Sequence, residues 1–156
     1  EDSPTYVRNM ERLQLKWESA KRLLPLARIT ISNAQARLGV VFYGSTTPAA
    51  YEAIDILRIR GIAVNSMRIR AFPFQQEVID FIQAHELVFI IEQNRDGQMR
   101  TLLINEGNLP PHHLIPITSY DGLPVASRFL TQALEDALAE RGVILPQLVS
   151  GQGGAQ

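Results

Sequence analysis

The most informative stretch of the sequence is Leu87-Val88-Phe89-Ile90-Ile91, an apolar run rich in branched and aromatic side chains. A strand that is apolar on both faces is typical of a parallel sheet covered by helices on both sides. Three more runs predict strands, at residues 38–43, 62–69 and 114–117. The last is predicted at an edge of the sheet, because Pro116 has no N–H group to donate to a neighbouring strand.

Helical patterns separate the predicted strands. Apolar residues recur every three or four positions in residues 49–60, 76–84, 98–106 and 126–141. In the final helix we expect the inward face to carry Phe129, Leu130, Ala133, Leu134, Ala137 and Leu138. Four strands that alternate with helices predict an α/β domain, a three-layer αβα sandwich with a mainly parallel sheet. Each crossover is expected to be right-handed.

A helical arm is predicted before this domain. Ser3 is the expected N-cap and Pro4 the first helical residue. Spacing places Val7, Met10, Leu13, Trp17 and Ala20 on one helical face. Residues 29–37 are mixed and polar, which indicates a connector. We therefore divide the chain into an arm and connector (residues 1–37), an α/β domain (38–145) and a flexible, Gly- and Gln-rich tail (146–156).

Composition narrows the classes of function. The chain has 156 residues, a formal net charge of -1 and no cysteine. It therefore has no disulfide, thiolate nucleophile or cysteine-held iron–sulfur cluster of its own. A near-neutral charge gives no long-range attraction for nucleic acid or an anionic membrane, and no apolar run approaches the ~20 residues of a membrane span. With acidic and polar first residues where a secretory signal would be basic and then apolar, we expect a cytoplasmic protein.

Ligands of open α/β sheets bind beyond the carboxyl ends of the strands, and one predicted loop there precedes a helix. It contains Gly44, Ser45, Thr46 and Thr47. Amides and hydroxyls before a helix are candidates for binding a phosphate or carboxylate. The simpler interpretation is favoured, in which Thr47 caps the helix and Pro48 is its first residue, because the segment lacks a nucleotide-binding glycine pattern.

A second loop follows the most apolar strand and reads Glu92, Gln93, Asn94, Arg95, Asp96, Gly97 and Gln98. A carboxylate that emerges from a dry strand is a candidate proton shuttle. A role in bonding its own turn or in contacting another subunit is favoured, since no second acid, base or nucleophile is evident nearby. No catalytic residue is assigned.

The histidines and arginines give weaker indications. His112 and His113 are adjacent, and neighbours on an extended strand would point to opposite faces, so no metal site is assigned to them. His85 is expected to be structural. We interpret Arg58, Arg60, Arg68 and Arg70 as solvated or interface residues, and Tyr43 and Trp17 as packing residues.

Several segments in order along the chain resemble a known family. They are Met10 to Glu18, Tyr43-Gly44-Ser45-Thr46, Phe72-Pro73-Phe74, Ile91 to Gln98, and Tyr120-Asp121-Gly122-Leu123-Pro124. Together they resemble the C-terminal domain of the alpha subunit of 2-oxoacid:ferredoxin oxidoreductases, especially those acting on 2-oxoglutarate. The resemblance extends from about residue 10 to about residue 138, and residues 92–98 are its most specific part.

The resemblance implies a fold shared with the C-terminal domains of transketolase and of the beta subunit of branched-chain oxoacid dehydrogenases. It implies thiamine-dependent oxidative decarboxylation of a 2-oxoacid to an acyl-CoA, with electrons passing through iron–sulfur clusters to ferredoxin. Thiamine diphosphate, magnesium and the clusters are expected in the rest of the complex and not in this domain. The thiamine-activating glutamate of the family belongs to another domain, so Glu92 is not given that role.

The implied partners are the remaining alpha-subunit domains, a beta subunit and, through the complex, ferredoxin. By itself the domain is expected to be inactive. Two alternatives remain open from the sequence. One is a stand-alone regulatory module that binds an anion at residues 44–47, and the other is the equivalent domain of a transketolase or an oxoacid dehydrogenase.

Overall fold

A five-stranded sheet forms the centre of the computed structural model, which describes residues 2–143. The strands are β1 (Arg28–Thr30), β2 (Leu38–Tyr43), β3 (Val64–Ile69), β4 (Leu87–Glu92) and β5 (Leu114–Thr118). The helices are α1 (Ser3–Leu23), α2 (Thr47–Ile59), α3 (Gln76–Gln83), α4 (Gln98–Gly107) and α5 (Ser127–Ala139), with 3₁₀ turns at Gly44–Thr46 and Pro111–His113. The predicted tail, residues 146–156, lies outside the described residues.

The sheet has the order β1-β3-β2-β4-β5. Strands β2, β3, β4 and β5 are parallel, and only β1 runs antiparallel. Leu38 lies opposite both Val64 and Leu87, so the central strands start level with one another. The predicted edge position of β5 is confirmed.

Two apolar clusters cover the two faces of the sheet. Val40 and Phe42 of β2 face α2 and α5, whereas Val41 between them faces α3 and α4. Successive side chains of a strand point to opposite faces, so a run that is apolar throughout supplies both clusters. The predicted three-layer sandwich with a mainly parallel sheet is confirmed. In α5, however, Phe129 is 45% exposed, so its predicted inward orientation is wrong.

Strand β1 corrects the predicted connector at residues 29–37. It pairs with β3 at Ile29–Met67, and all three of its residues are exposed. A three-residue exposed strand carries no alternation of apolar and polar residues for the sequence to reveal. The strand forms because β3 presents a free edge to it.

The segment after β1 is held to the sheet by Asn65. Its side-chain oxygen accepts hydrogen bonds from the backbone N–H of Ser32 (2.9 Å) and of Asn33 (3.2 Å), and its Nδ2 donates to the carbonyl oxygen of Asn33 (3.1 Å). The same Nδ2 lies 3.0 Å from Nε2 of His85. A buried amide bonded in this way satisfies polar groups that would otherwise be costly to bury.

His85 is buried and structural. Its Nδ1 lies 2.7 Å from the carbonyl oxygen of Phe81. Because a carbonyl only accepts, Nδ1 carries the hydrogen, and Nε2 is left to accept from Asn65. A Cβ atom at Gly39 would come within 3.1–3.2 Å of Phe81 and His85, so glycine at that position makes room for the ring.

Helix α1 has no buried residue. Its N-cap is Asp2 and not the predicted Ser3, which is already helical; Thr5 Oγ1 donates to the Asp2 carboxylate over 2.6 Å. Near its end the Trp17 ring meets Phe72 edge to face, 5.3 Å between centroids, and Gln75 Nε2 donates to the carbonyl oxygen of Lys21 over 2.6 Å. Among the described residues no helix combines the length and hydrophobicity needed to cross a bilayer.

Candidate functional site

The carboxyl ends of β2, β4 and β5 meet at one edge of the sheet. The segments that follow them are joined by hydrogen bonds: Ser45 Oγ donates to Gln93 Oε1 (2.8 Å), and Gln93 Nε2 donates to the carbonyl oxygen of Leu123 (3.3 Å). The backbone N–H of Ser119 donates to the carbonyl oxygen of Glu92 (2.9 Å). Together they line an open pocket of about 460 Å³. The two predicted candidate loops are therefore neighbours.

A third segment contributes to the pocket and was not predicted to do so. Ser119, Tyr120, Gly122, Leu123 and Pro124 all line it. Tyr120 and Leu123 are 66% and 67% exposed. The available sequence signal was the Asp121-Gly122 turn pair directly after a strand, which marks a loop at this edge of the sheet.

Glu92 is fully buried at the end of β4. One carboxylate oxygen accepts from the backbone N–H of Met99 (2.7 Å) and from Asn94 Nδ2 (2.8 Å), and the other accepts from the N–H of Arg100 (2.9 Å). The N–H groups at the start of a helix have no partner within it, and the helix dipole favours negative charge there. Glu92 therefore caps α4 from inside the fold, and both of its oxygens accept hydrogen bonds from the chain.

Asn94 completes the inner framework of the loop. Its side-chain oxygen accepts from the backbone N–H of Asp96 (3.1 Å) and of Gln98 (3.2 Å). Gly97 follows in the left-handed region at φ 61°, a conformation that glycine adopts at no steric cost. Glu92, Asn94 and Gly97 thus fix the shape of the loop.

The other four residues of the loop, Gln93, Arg95, Asp96 and Gln98, are exposed. Arg95 Nε donates to Asp96 over 2.7 Å, and the two side chains are 74% and 55% exposed. A rigid turn thus presents amide and charged groups to the surroundings. The loop therefore has an inner set of residues that hold its shape and an outer set that faces the surroundings.

The hydroxyls of the other predicted loop are used within the chain. Thr46 Oγ1 donates to the carbonyl oxygen of Tyr43 and Thr47 Oγ1 to that of Gly44, both over 2.7 Å, while Ser45 Oγ donates to Gln93. Thr47 is already the first residue of α2, and its hydroxyl donates to the carbonyl oxygen of Gly44 instead of accepting from an N–H group of the helix. Its predicted capping role is therefore wrong. An anion bound at this loop would be contacted by backbone N–H groups, because the three hydroxyl hydrogens are already donated within the chain.

Tyr43 lies between the two loops and is half-buried. Burial raises the pKa of its phenol above the ordinary value of 10.0, and the neighbouring Glu92 carboxylate raises that pKa further. The phenol is therefore neutral at neutral pH.

The remaining residues singled out from the sequence lie away from this pocket. His112 and His113 belong to a 3₁₀ turn and not to a strand; His113 Nε2 contacts the carbonyl oxygen of Ile82 (2.8 Å) and His112 is exposed. Within residues 2–143 no three His, Cys, Asp or Glu side chains form a group suited to a metal ion. Arg58 pairs with Asp55 on the exposed surface of α2, and Arg60 forms a half-buried pair with Glu135 of α5.

The sequence is similar to that of a known protein subunit. No protein-family model matches the chain. The chain is 25% identical over 118 residues to subunit alpha of 2-oxoacid:ferredoxin oxidoreductase 2 from Aeropyrum pernix. That match covers 70% of the chain and only 18% of the relative, so the chain spans about a fifth of that protein's length.

Two solved structures share the fold. One is a 2-oxoglutarate:ferredoxin oxidoreductase from Magnetococcus marinus with 2-oxoglutarate, coenzyme A and succinyl-CoA bound, at 22% identity and a TM-score of 0.75 over 87% of this chain and 24% of that one. The other is a split-gene transketolase, described as an inactive beta4 tetramer, at 19% identity and a TM-score of 0.57 over 77% of this chain and 42% of that one.

The chain thus has a three-layer α/β fold that it shares with the split-gene transketolase. The resemblance to alpha subunits of 2-oxoacid:ferredoxin oxidoreductases is confirmed by the curated relative, and the Magnetococcus enzyme shares the fold.

Proposed function

We propose that this chain acts as the C-terminal domain of the alpha subunit of a 2-oxoacid:ferredoxin oxidoreductase and supports assembly of its subunits. The enzyme would oxidatively decarboxylate a 2-oxoacid to an acyl-CoA and reduce ferredoxin. The observation that carries the proposal is the loop at residues 92–98, in which a buried framework holds four exposed polar residues at the edge of the sheet. Similarity to the Aeropyrum alpha subunit supports the family named in the proposal.

The proposed substrate is 2-oxoglutarate. The support is the Magnetococcus enzyme, whose structure contains that acid together with coenzyme A and succinyl-CoA. We infer that substrate contacts are made mainly by parts of the enzyme other than this domain, because the chain matches only 24% of that protein.

We place thiamine diphosphate, magnesium and the iron–sulfur clusters in the rest of the complex. The residues at the carboxyl edge do not fit thiamine diphosphate, since the hydroxyls of residues 45–47 are bonded to the chain and the Glu92 carboxylate is occupied by α4. A chain without cysteine has no thiolate to ligate a cluster. The isolated domain is therefore proposed to be inactive, and its partners to be the other alpha-subunit domains, a beta subunit and ferredoxin through the complex.

A cytoplasmic location is part of the same proposal. Ferredoxin-linked chemistry needs a reducing compartment, and a chain without cysteine needs no oxidising one.

A second candidate function is that of the equivalent domain of a transketolase. It is supported by the fold shared with the split-gene enzyme.

The decisive experiment replaces the exposed pair of the loop in a coexpressed complex. Arg95→Ala with Asp96→Ala is expected to reduce copurification of the partner subunits about tenfold, the effect of losing ~1.4 kcal/mol of binding free energy. The matched control is Arg58→Ala with Asp55→Ala, another exposed Arg–Asp pair, with side chains 51% and 66% exposed. It should change copurification less than twofold.

The isolated chain should melt at the same temperature in both double variants, because both pairs are exposed. Equal copurification and equal turnover with 2-oxoglutarate for the two double variants would exclude the assembly role. Stable assembly with a transferase partner lacking iron–sulfur clusters would favour the transketolase candidate.

A further inference from the structure

Helix α1 has an apolar stripe that the α/β domain leaves uncovered. The residues of this stripe follow one another at alternating intervals of four and three positions: Tyr6, Met10, Leu13, Trp17 and Ala20. None of them is buried, and the four large side chains are 44–57% exposed. Recurrence at an average of 3.5 residues is the heptad repeat of a coiled coil, in which the stripe packs against a second helix.

One end of the stripe is already in contact with the domain. The Trp17 ring meets Phe72 edge to face, with 5.3 Å between the ring centroids, and Phe72 is itself 38% exposed. A helix of 21 residues without tertiary packing is only marginally stable in water. The stripe is therefore the surface on which another helix would stabilise α1, and Phe72 extends that surface onto the domain.

The charge of α1 selects the kind of helix that fits the stripe. Lys16 and Lys21 occupy the positions that flank a heptad seam on its two sides, where opposite charges on a partner helix are favourable. Within residues 2–143 the one cation of α1 that forms an ion pair is Lys21, with Glu18 at 3.3 Å. The net charge of the helix is +3, from five basic and two acidic residues: Arg8, Arg12, Lys16, Lys21 and Arg22, and Glu11 and Glu18.

The same charges disfavour a second copy of the chain as the partner. A second α1 has the same excess of positive charge, and like charges that face each other across a helix pair are destabilising. Parallel pairing would also set Lys16 of each copy against Lys21 of the other.

We propose that the stripe of α1 binds an acidic amphipathic helix of a partner subunit as a two-helix coiled coil. Carboxylates of that helix lie beside Lys16 and Lys21, and its apolar side chains cover the stripe and Phe72. The inference rests on the proposed function for the identity of the partner as a subunit of the same enzyme. Helix α1 and the loop at residues 92–98 are then two separate contacts with other subunits.

The first test titrates the full chain with two synthetic peptides of the same length as α1. Both peptides have leucine at the two core positions of each heptad, and the flanking positions are glutamate in one and lysine in the other. Trp17 is the one tryptophan in the chain, so its fluorescence reports directly on the stripe. The glutamate peptide is expected to bind saturably and shift the emission to shorter wavelength, because the ring loses contact with water. The lysine peptide should leave the emission unchanged.

Two leucines of α1 provide a matched pair of variants. Leu13 lies in the stripe, whereas Leu15 lies about 200° further around the helix and is 70% exposed. Leu13→Asp is expected to weaken binding of the glutamate peptide by at least about tenfold, and Leu15→Asp by less than about twofold. In the coexpressed enzyme complex, Leu13→Asp should likewise lower copurification of the partner subunits more than Leu15→Asp does. Both positions are exposed, so neither variant is expected to unfold the domain.

Equal binding of the two peptides, binding of neither, or equal effects of the two leucine variants would overturn the inference. An emission shift with phosphatidylglycerol vesicles and none with the glutamate peptide would also overturn it, since the stripe would then bind a lipid surface. Dimerisation of the isolated chain that Leu13→Asp abolishes would make the occupant a second copy. If the unmodified chain recovers no partner subunit, the proposed function fails, and the peptide titration still decides whether α1 binds an acidic helix.

Discussion

Among single residues, Glu92 combines complete burial with hydrogen bonds from three N–H donors, none of which is a cation. Hydrogen bonds to a charged group contribute more than neutral ones, and the helix N-terminus supplies a compatible dipole. The carboxylate therefore links the end of β4 to the start of α4 and, together with Asn94 and Gly97, fixes the shape of the intervening loop.

Replacing that carboxylate with an amide tests this link. Glu92→Gln places an NH₂ group against N–H donors at one of the two oxygen positions, so we expect a loss of about 2–3 kcal/mol in the free energy of unfolding. Urea titration followed by circular dichroism measures it. The control Asp96→Asn removes the same charge from an exposed position in the same loop and should cost less than about 0.5 kcal/mol. A similar small loss in both variants would contradict the capping role.

Sequence reasoning placed this loop correctly but could not sort its residues. The apolar strand and the Asp96-Gly97 pair locate a turn at the sheet's carboxyl edge. Which side chains turn inward depends on where the N-terminus of α4 lies, and that is set by tertiary packing. For the same reason the hydroxyls of Thr46 and Thr47 looked available in the sequence and are bonded to the chain in the structure.

Among the elements, α1 is unusual because it is the longest helix described and buries none of its 21 residues. Its apolar side chains Tyr6, Met10, Leu13 and Trp17 recur at helical spacing but remain 44–57% exposed. Within the described structure it is anchored only near its end, by the Trp17–Phe72 contact and by Gln75. Its stability as a helix thus owes little to the α/β domain.

Deletion of residues 2–23 should therefore leave the domain folded. We expect the melting temperature to fall by less than about 3 °C, because a loss near 1 kcal/mol shifts it by only a few degrees in a domain of this size. Scanning calorimetry measures the change, and Trp17→Ala in the full chain serves as the control for the Phe72 contact. A fall of more than about 10 °C in the deletion variant would show that α1 is part of the cooperative core.

The secondary-structure elements also show which parts of the fold the sequence pattern could not predict. All four parallel strands and five helices have enough apolar residues at regular spacing to be predicted, with ends that differ from the structure by at most two residues. Strand β1 has three residues and no buried side chain, so it exists only through pairing with β3. Asn65 holds the segment after it through contacts more than 30 positions apart in the chain, which no local pattern can reveal.

For the molecule as a whole, the two ends of the sheet differ in chemistry. The carboxyl edge presents rigid polar loops, and the amino end has an apolar groove.

From the proposed function, an affinity-tagged chain is expected to recover, from an extract of its source organism, a subunit with the visible absorbance of iron–sulfur clusters and with bound thiamine diphosphate. Mass spectrometry and the absorbance spectrum identify it. Recovery of the chain alone would contradict the proposed partnership.

The two edge strands of the sheet, β1 and β5, also affect whether the domain can self-associate through strand pairing. On one border β1 is only three residues long and begins with Arg28; on the other, Pro116 removes an N–H from the middle of β5. Short, charged and proline-containing border strands are the features by which natural proteins avoid adding further strands from other molecules. Strand addition from another molecule is thus disfavoured at both edges, so we expect any contact with another chain to use side chains of the loops and helices.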